Sequence, residues 1–315
     1  MTAPGEAEDR ILAGLLAGHR VLFCYGLLGE VIAGLRPLGI DYMGSQANWL
    51  RRLGVAVEVV ALPTAAPVGV NAGRIAAAIA ADPRPVVIVA HSKGGLEALA
   101  ALLRPGVAAR CRGFIALQSP FHGSPVADWL CGRRGLHRAA HHALRFGRLG
   151  TGRGLKDLTT PVRQAWMRDH AAAIAALVQQ VPVVTLATVL EGPWHWQDQA
   201  YRPIARWMRR QGAGDNDGLV PVAAARLPGL ACTVLPGGHR ALVARGRGRD
   251  PVGVLRTRLL AVLRDARYSA ATSTSTNSAS SVAVISIASS ATIPAPSLVP
   301  SATPFTVTLP LAGTR

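Results

Sequence analysis

Residues 86–96 read Val86–Val87–Ile88–Val89–Ala90–His91–Ser92–Lys93–Gly94–Gly95–Leu96. The run 85–90 is unbroken, small and β-branched, which suits a strand buried on both faces. A helical pattern follows over 96–103. Between them lies a tight turn, with Ala90 two residues before Ser92 and Gly94 two residues after it. A serine at the apex of such a turn is held in a strained backbone conformation, and its neighbours must be small. The helix beginning near Lys93 aims its N-terminal amides at charge that develops beside the hydroxyl. Ser92 is therefore a candidate nucleophile. A serine that only caps a helix needs no small residues on both sides.

A hydroxyl is a weak nucleophile until a base takes its proton. After a turn of this kind an acid and then a histidine are expected, in that chain order. Asp217 lies in Asp215–Asn216–Asp217–Gly218–Leu219–Val220–Pro221, ahead of the last strand pattern at 231–235. His239 follows that strand through Pro236–Gly237–Gly238, where glycine lets the loop carry an imidazole over the sheet edge. Asp217 and His239 are the candidate acid and base. Asp215 and Asp198 are alternatives for the acid, and Asp217 also reads as a turn-capping aspartate. Two backbone amides are needed to hold an oxyanion. Lys93 supplies one, and Leu27 in Tyr25–Gly26–Leu27–Leu28–Gly29 is the candidate for the other, although that segment also reads as a plain strand-end turn.

Working outward, short apolar runs at 20–25, 55–61, 114–117, 181–189 and 231–235 alternate with helical patterns such as 69–81. Alternation of this kind predicts an α/β fold, a mostly parallel sheet with helices on both faces. The expected organisation is an N-terminal segment 1–19, a main domain 20–267 and a tail 268–315. Residues 269–315 are dominated by Ser, Thr, Ala and Pro, with Arg315 their one charged residue, which predicts disorder. An edge strand over 282–287 is the alternative. Residues 124–180 exceed a simple crossover and hold Arg133, Arg134, His137, Arg138, His141, His142, Arg145 and Arg148. They read as inserted helices, either a lid over the site or surface helices with no gating role.

The formal charge is +17, and Lys93 and Lys156 are the only lysines among 34 basic residues. No helix-turn-helix, zinc-finger or RNA-binding signature accompanies that charge, so a specific nucleic-acid reader is not expected. The arginines read as a solvated surface, or as attraction to an anionic membrane or polymer. Cys24, Cys111, Cys131 and Cys232 show no metal-ligand spacing. The N-terminus is acidic and its apolar run at 11–18 is short, which does not read as a secretory signal. No uninterrupted apolar stretch of about 18 residues appears, so no spanning helix is predicted and a cytoplasmic location is expected.

The same residues resemble bacterial true lipases of the Pseudomonas and Burkholderia type, within the α/β-hydrolase superfamily. The resembling blocks are Tyr25–Gly26–Leu27–Leu28–Gly29, Gly39–Ile40–Asp41–Tyr42 and Ala90–His91–Ser92–Lys93–Gly94–Gly95. Two more are Ser119–Pro120–Phe121–His122–Gly123–Ser124–Pro125–Val126–Ala127–Asp128 and Asn216–Asp217–Gly218–Leu219–Val220. They fall within 20–130 and 215–240, under half of the chain. The resemblance implies an α/β-hydrolase fold with a lid, hydrolysis of ester or lipid substrates, and a Ser92–Asp217–His239 triad with no cofactor. Tyr25 stands where those lipases have His, and Ala90 where they have Gly. They hold a structural calcium partly through an Asp two residues after the histidine; Ala241 occupies that position, so no such metal site is expected.

Several residues read either way. His91 and His122 read as packing and hydrogen-bonding groups, and Glu97 as a helix-surface or first-turn acid. Trp194 and Trp196 flank His195 and are candidates for a substrate wall; Trp129 is a candidate at the site mouth, with Leu130 beside it. Two rival functions fit the same residues. One is a polyester depolymerase or acyltransferase using the same three residues. The other is a non-catalytic protein of the same fold.

Overall fold

The computed structural model describes residues 4–27, 41–133, 153–191 and 195–265. Six strands form one sheet: β1 (Arg20–Cys24), β2 (Ala56–Val59), β3 (Val86–His91), β4 (Cys111–Leu117), β5 (Val183–Val189) and β6 (Cys232–Pro236). Their order is β2-β1-β3-β4-β5-β6, and every neighbouring pair is parallel. Parallel strands need a crossover between each pair, and the helices supply it on both faces.

The alternation of side chains along each strand sorts the core into two layers. Leu22, Cys24, Val86, Ile88, Ala90, Phe114 and Ala116 face one side. There they meet α3 (Val68–Ala80), α4 (Lys93–Leu102) and α7 (Ala171–Gln180). Val21, Phe23, Val87, Val89, Ile115 and Leu117 face the other side. There they meet α1 (Pro4–Leu15), α2 (Gly44–Arg52) and α9 (Pro251–Leu263). β3 is buried at every position and lies near the middle of the sheet; the edge strands β2 and β6 are only half-buried. The strand with the clearest sequence signal is thus the one that carries Ser92 at its end.

Two boundaries differ from the sequence reading. α1 lies inside the segment assigned outside the main domain, yet its Leu12 and the following Leu16 are fully buried against α9 and α2. Asp9 accepts hydrogen bonds from Arg256 Nε (2.7 Å) and Trp49 Nε1 (3.2 Å), fastening α1 to both. Within 124–180, α7 buries Ile174, Leu177 and Val178 in the first core layer. It is the crossover helix that feeds β5, not part of a cover. The remaining described elements of that region are α5 (Pro125–Gly132), a 3-10 turn at Arg153–Leu158, and α6 (Thr160–Asp169). The histidines at 137, 141 and 142 and the tail from 268 lie outside the described residues. α8 (Arg202–Arg210) follows β5 and completes the described helices.

All four cysteines are free thiols. Burial pushes the Cys111 thiol up to about 12 and raises that of Cys24 further, so both behave as small hydrophobes. Among the described residues, no helix is long and apolar enough to cross a membrane.

Candidate active site

Ser92 stands where β3 gives way to α4. Its amide still donates to the Leu117 carbonyl (2.9 Å), continuing the β3–β4 ladder, but its backbone turns to φ 54° and ψ −126°. A non-glycine residue in that region stores on the order of 1–3 kcal/mol of strain and persists only where the surroundings enforce it. The enforcement is steric. A Cβ at Gly94 would lie 2.6 Å from the Tyr25 carbonyl oxygen and nearer still to that of Cys24, so only glycine lets α4 start this close to the end of β1.

His239 and Asp217 converge on Ser92 from the far end of the chain. Ser92 Oγ and His239 Nε2 are 2.9 Å apart, and His239 Nδ1 and Asp217 Oδ2 are 2.9 Å apart. Asp217 is buried, and its other oxygen accepts from the amides of Leu219 (2.9 Å) and Val220 (2.8 Å). An acceptor-only carboxylate makes Nδ1 the protonated nitrogen, which leaves Nε2 free to accept from the serine hydroxyl. The alternative acids stand elsewhere. Asp215 is exposed and lies 3.6 Å from Arg209, and Asp198 pairs with Arg249.

Two supporting side chains, Gln118 and Tyr42, escaped the sequence reading, and they act beside His91, which was read as a hydrogen-bonding group. Gln118 Nε2 donates to Asp217 Oδ2 (3.1 Å) and to the Gly238 carbonyl (3.0 Å), and it also contacts Thr188 Oγ1. It therefore grips the acid and the histidine loop together. Tyr42 accepts from the Gly26 amide (2.9 Å) and donates to His91 Nδ1 (2.7 Å), while His91 Nε2 donates to the His239 carbonyl (2.9 Å). Burial holds the His91 imidazole well below the ordinary histidine range, with the neighbouring His239 adding to the effect. A neutral His91 has one donor and one acceptor nitrogen, which is what this relay requires. His91 is thus a hydrogen-bonding link between the Gly26–Leu27 loop and the His239 loop. The sequence marks Gln118 only as a polar residue closing the apolar run 114–117.

Leu27 borders the same cavity as Ser92, and Lys93 opens α4, where its amide lacks an intrahelical partner. The Lys93 side chain is fully buried and paired with Glu97, which also accepts from Asn71 Nδ2 (2.7 Å). Glu97 is therefore no helix-surface acid. It sits under the turn, joining the first turn of α4 to α3.

A cavity of about 270 Å3 opens beside Ser92 and is walled chiefly by Leu27, Ala127, Leu130, Leu155, Leu158 and Leu219. Part of its wall comes from α5 and the 3-10 turn at Arg153–Leu158, the two described flanks of the segment 134–152. Trp129 and Trp196 do not border it. Trp129 points outward, 41% exposed, against Trp207 and under Arg133. Trp196 is 65% exposed and borders a separate hollow behind the His239 loop. Trp194 lies outside the described residues. The described residues contain no cluster of three or more His, Cys, Asp or Glu side chains suited to a metal. Beside His239, Ala241 has no side-chain oxygen, and the nearby buried carboxylate of Asp198 is paired with a guanidinium.

No family model and no curated protein matches the chain. Solved structures do. A metagenomic carboxyl esterase superposes with a TM-score of 0.59 at 24% identity, covering 80% of this chain and 75% of that one. Lipase 1 of Pelosinus fermentans gives 0.56 at 12% identity, covering 79% and 99%. The mature Bacillus licheniformis lipase BlEst2 gives 0.54 at 21% identity, covering 70% and 84%. Likeness at these identities is a likeness of architecture, and it agrees with the sheet order and crossovers described above: the chain has the α/β-hydrolase fold.

Proposed function

We propose that this chain is a serine hydrolase of carboxylic esters, lipase- or esterase-like, with Ser92, His239 and Asp217 as its catalytic residues. The observation that carries the reading is the unbroken hydrogen-bond chain from Ser92 Oγ through His239 to Asp217, opening onto an apolar cavity. The titles of the superposing structures, a carboxyl esterase and lipases, agree with it. In this reading Ser92 Oγ attacks the acyl carbonyl and gives its proton to His239 Nε2. Asp217 holds the imidazole in its tautomer and balances the charge that forms. The amides of Leu27 and Lys93 receive the oxyanion. His239 returns the proton to the departing alcohol, and water then releases the acid by the same steps in reverse. The acyl chain lies along the leucine-rich wall.

The blocks around residues 25, 41, 92, 120 and 217 support placing it nearer the Pseudomonas and Burkholderia lipases than other members of the superfamily. The exposed arginines of α8, Arg206, Arg209 and Arg210, support weak association with anionic lipid surfaces.

The test is release of p-nitrophenol from short- and long-chain p-nitrophenyl esters, with wild type beside Ser92→Ala. Wild type should turn over and label with a fluorophosphonate, and the variant should do neither. A folded wild type that cleaves no ester and takes no label overturns the reading.

A further inference from the structure

Gly237 and Gly238, which carry His239 from the end of β6 to Ser92, form an irregular loop, so its placement depends on what lies against it. Gln118 grips the Gly238 carbonyl from the sheet side. On the opposite side Gly238 is pressed onto Asp198: a Cβ at Gly238 would lie 2.5 Å from Asp198 Oδ1 and 2.9 Å from the Tyr201 ring. Asp198 is 5% exposed, and its Oδ1 has no hydrogen-bond partner. Its Oδ2 accepts from Arg249 Nη2 at 2.5 Å, and Arg249 Nη1 donates to Gln197 Oε1 at 3.1 Å.

Arg249 is itself firmly placed. Its amide donates to the Gly246 carbonyl (3.0 Å), and the next residue, Asp250, caps α9 by accepting from the Gly253 amide (2.8 Å). The guanidinium is thus presented from the rigid start of α9, across the back of the histidine loop, to the turn at Trp196–Asp198. Both partners of the pair are more than nine-tenths buried. A well-packed apolar pair would fill such a site at no loss of stability, because desolvation offsets most of the attraction. What the ion pair adds is direction, since its hydrogen bonds fix where Asp198, and with it Gly238, must sit.

We propose that Arg249 and Asp198 are positioning residues: a cation built into the chain that clamps the His239 loop from behind and keeps the imidazole in line with Ser92. The proposal rests on the hydrolase reading above, and it identifies a device that reading does not need in order to stand.

Arg249→Ala tests it, with the double variant Asp198→Asn/Arg249→Leu beside it. In Arg249→Ala, kcat on a soluble p-nitrophenyl ester should fall about 10- to 100-fold, as a displacement of the imidazole by about 1 Å predicts, with KM changed far less. Added guanidinium ion should restore much of that loss, and sodium chloride at equal ionic strength should not. The low-field proton resonance of His239 Nδ1–H should broaden in the variant and sharpen again with guanidinium, a readout that needs no turnover. The double variant removes the charge imbalance, so its melting temperature should recover while kcat stays low. The clamp is overturned if kcat and the proton resonance of a folded Arg249→Ala match wild type, if guanidinium restores neither, or if the double variant recovers kcat along with stability. A wild type that cleaves no ester sinks the hydrolase reading instead, and the resonance still decides whether the clamp holds the loop.

Discussion

At the residue scale, His91 shows how a buried titratable group outside the reacting atoms can set a pH limit. Its ring receives the Tyr42 hydroxyl at Nδ1 and donates to the His239 carbonyl from Nε2, so protonation breaks the first of these bonds and places a charge in the core. Burial lowers its folded-state pKa well below the ordinary value of 6.5. The unfolded chain therefore takes up a proton below about pH 6.5 while the folded protein resists it. Stability is greatest above that pH and is lost as the pH falls through it, by up to about 1.4 kcal/mol per pH unit for one proton. Burial lowers His19, His122 and His195 in the same sense, so His91 accounts for part of the slope. The expected outcome is that the denaturation midpoint of wild type drops between pH 7 and pH 5, and that His91→Gln, though less stable at pH 7, shows a shallower drop. Equal slopes in the two proteins would show that the buried imidazole does not govern the acid limit.

At the scale of elements, α1 decides where the folding unit ends. Its Leu12 is fully buried between α9 and α2, and Asp9 ties it to Arg256 and Trp49. Truncating a buried leucine costs about 2–5 kcal/mol, according to how far the site collapses. Leu12→Ala should lower the unfolding free energy by that amount, seen as a lower denaturant midpoint with one cooperative transition and unchanged kcat; an unmoved midpoint would put α1 outside the cooperative unit. The sequence left α1 out because its apolar run is short and follows an acidic stretch, whereas the core strands announced themselves. Residues 86–90 are apolar on both faces, and the distance from such a strand to the next turn is local information. The turn around Ser92 was legible for the same reason, whereas Asp217 and His239, far along the chain, were singled out only by the chain order expected after such a turn. Gln118 was not, since its partners Asp217 and Gly238 are 99 and 120 residues away and nothing near Gln118 encodes them. The division of 124–180 was hidden too. The Ala-rich α7 has the composition of any apolar helix, and only its packing against the sheet marks it as a crossover.

At the scale of the whole molecule, the charge of +17 is unevenly useful. Some of the 34 basic residues are paired locally: Arg20 with Glu58 and Asp82, Arg249 with Asp198, and Arg256 with Asp9. The exposed face of α8 differs. Arg206 and Arg210, one turn apart, have no carboxylate at ion-pair distance among the described residues, and Arg209 reaches only the exposed Glu191 and Asp215. Trp207 on this helix meets Trp129 of α5 edge to face, and Arg133 lies over the Trp129 ring. Tyr201, just before α8, and Leu130, next to Trp129, both border the cavity beside Ser92. Aromatic rings and arginines gathered on one exposed face suit an anionic lipid surface, where each basic residue contributes about 1 kcal/mol and tryptophan sits at headgroup level. Vesicles containing phosphatidylglycerol should therefore sediment the protein, and vesicles of phosphatidylcholine alone should do so far less. Binding should weaken as added salt shortens the screening length from about 10 Å at 0.1 M towards about 3 Å at 1 M. Arg206→Glu with Arg210→Glu should reduce it by on the order of tenfold or more. Hydrolysis of a soluble short-chain ester should be unchanged in that variant, because neither residue touches the cavity. Binding that ignores salt and charge reversal would locate the attraction in apolar contact alone, and equal binding to heparin-coated beads and vesicles would make it a general response to polyanions.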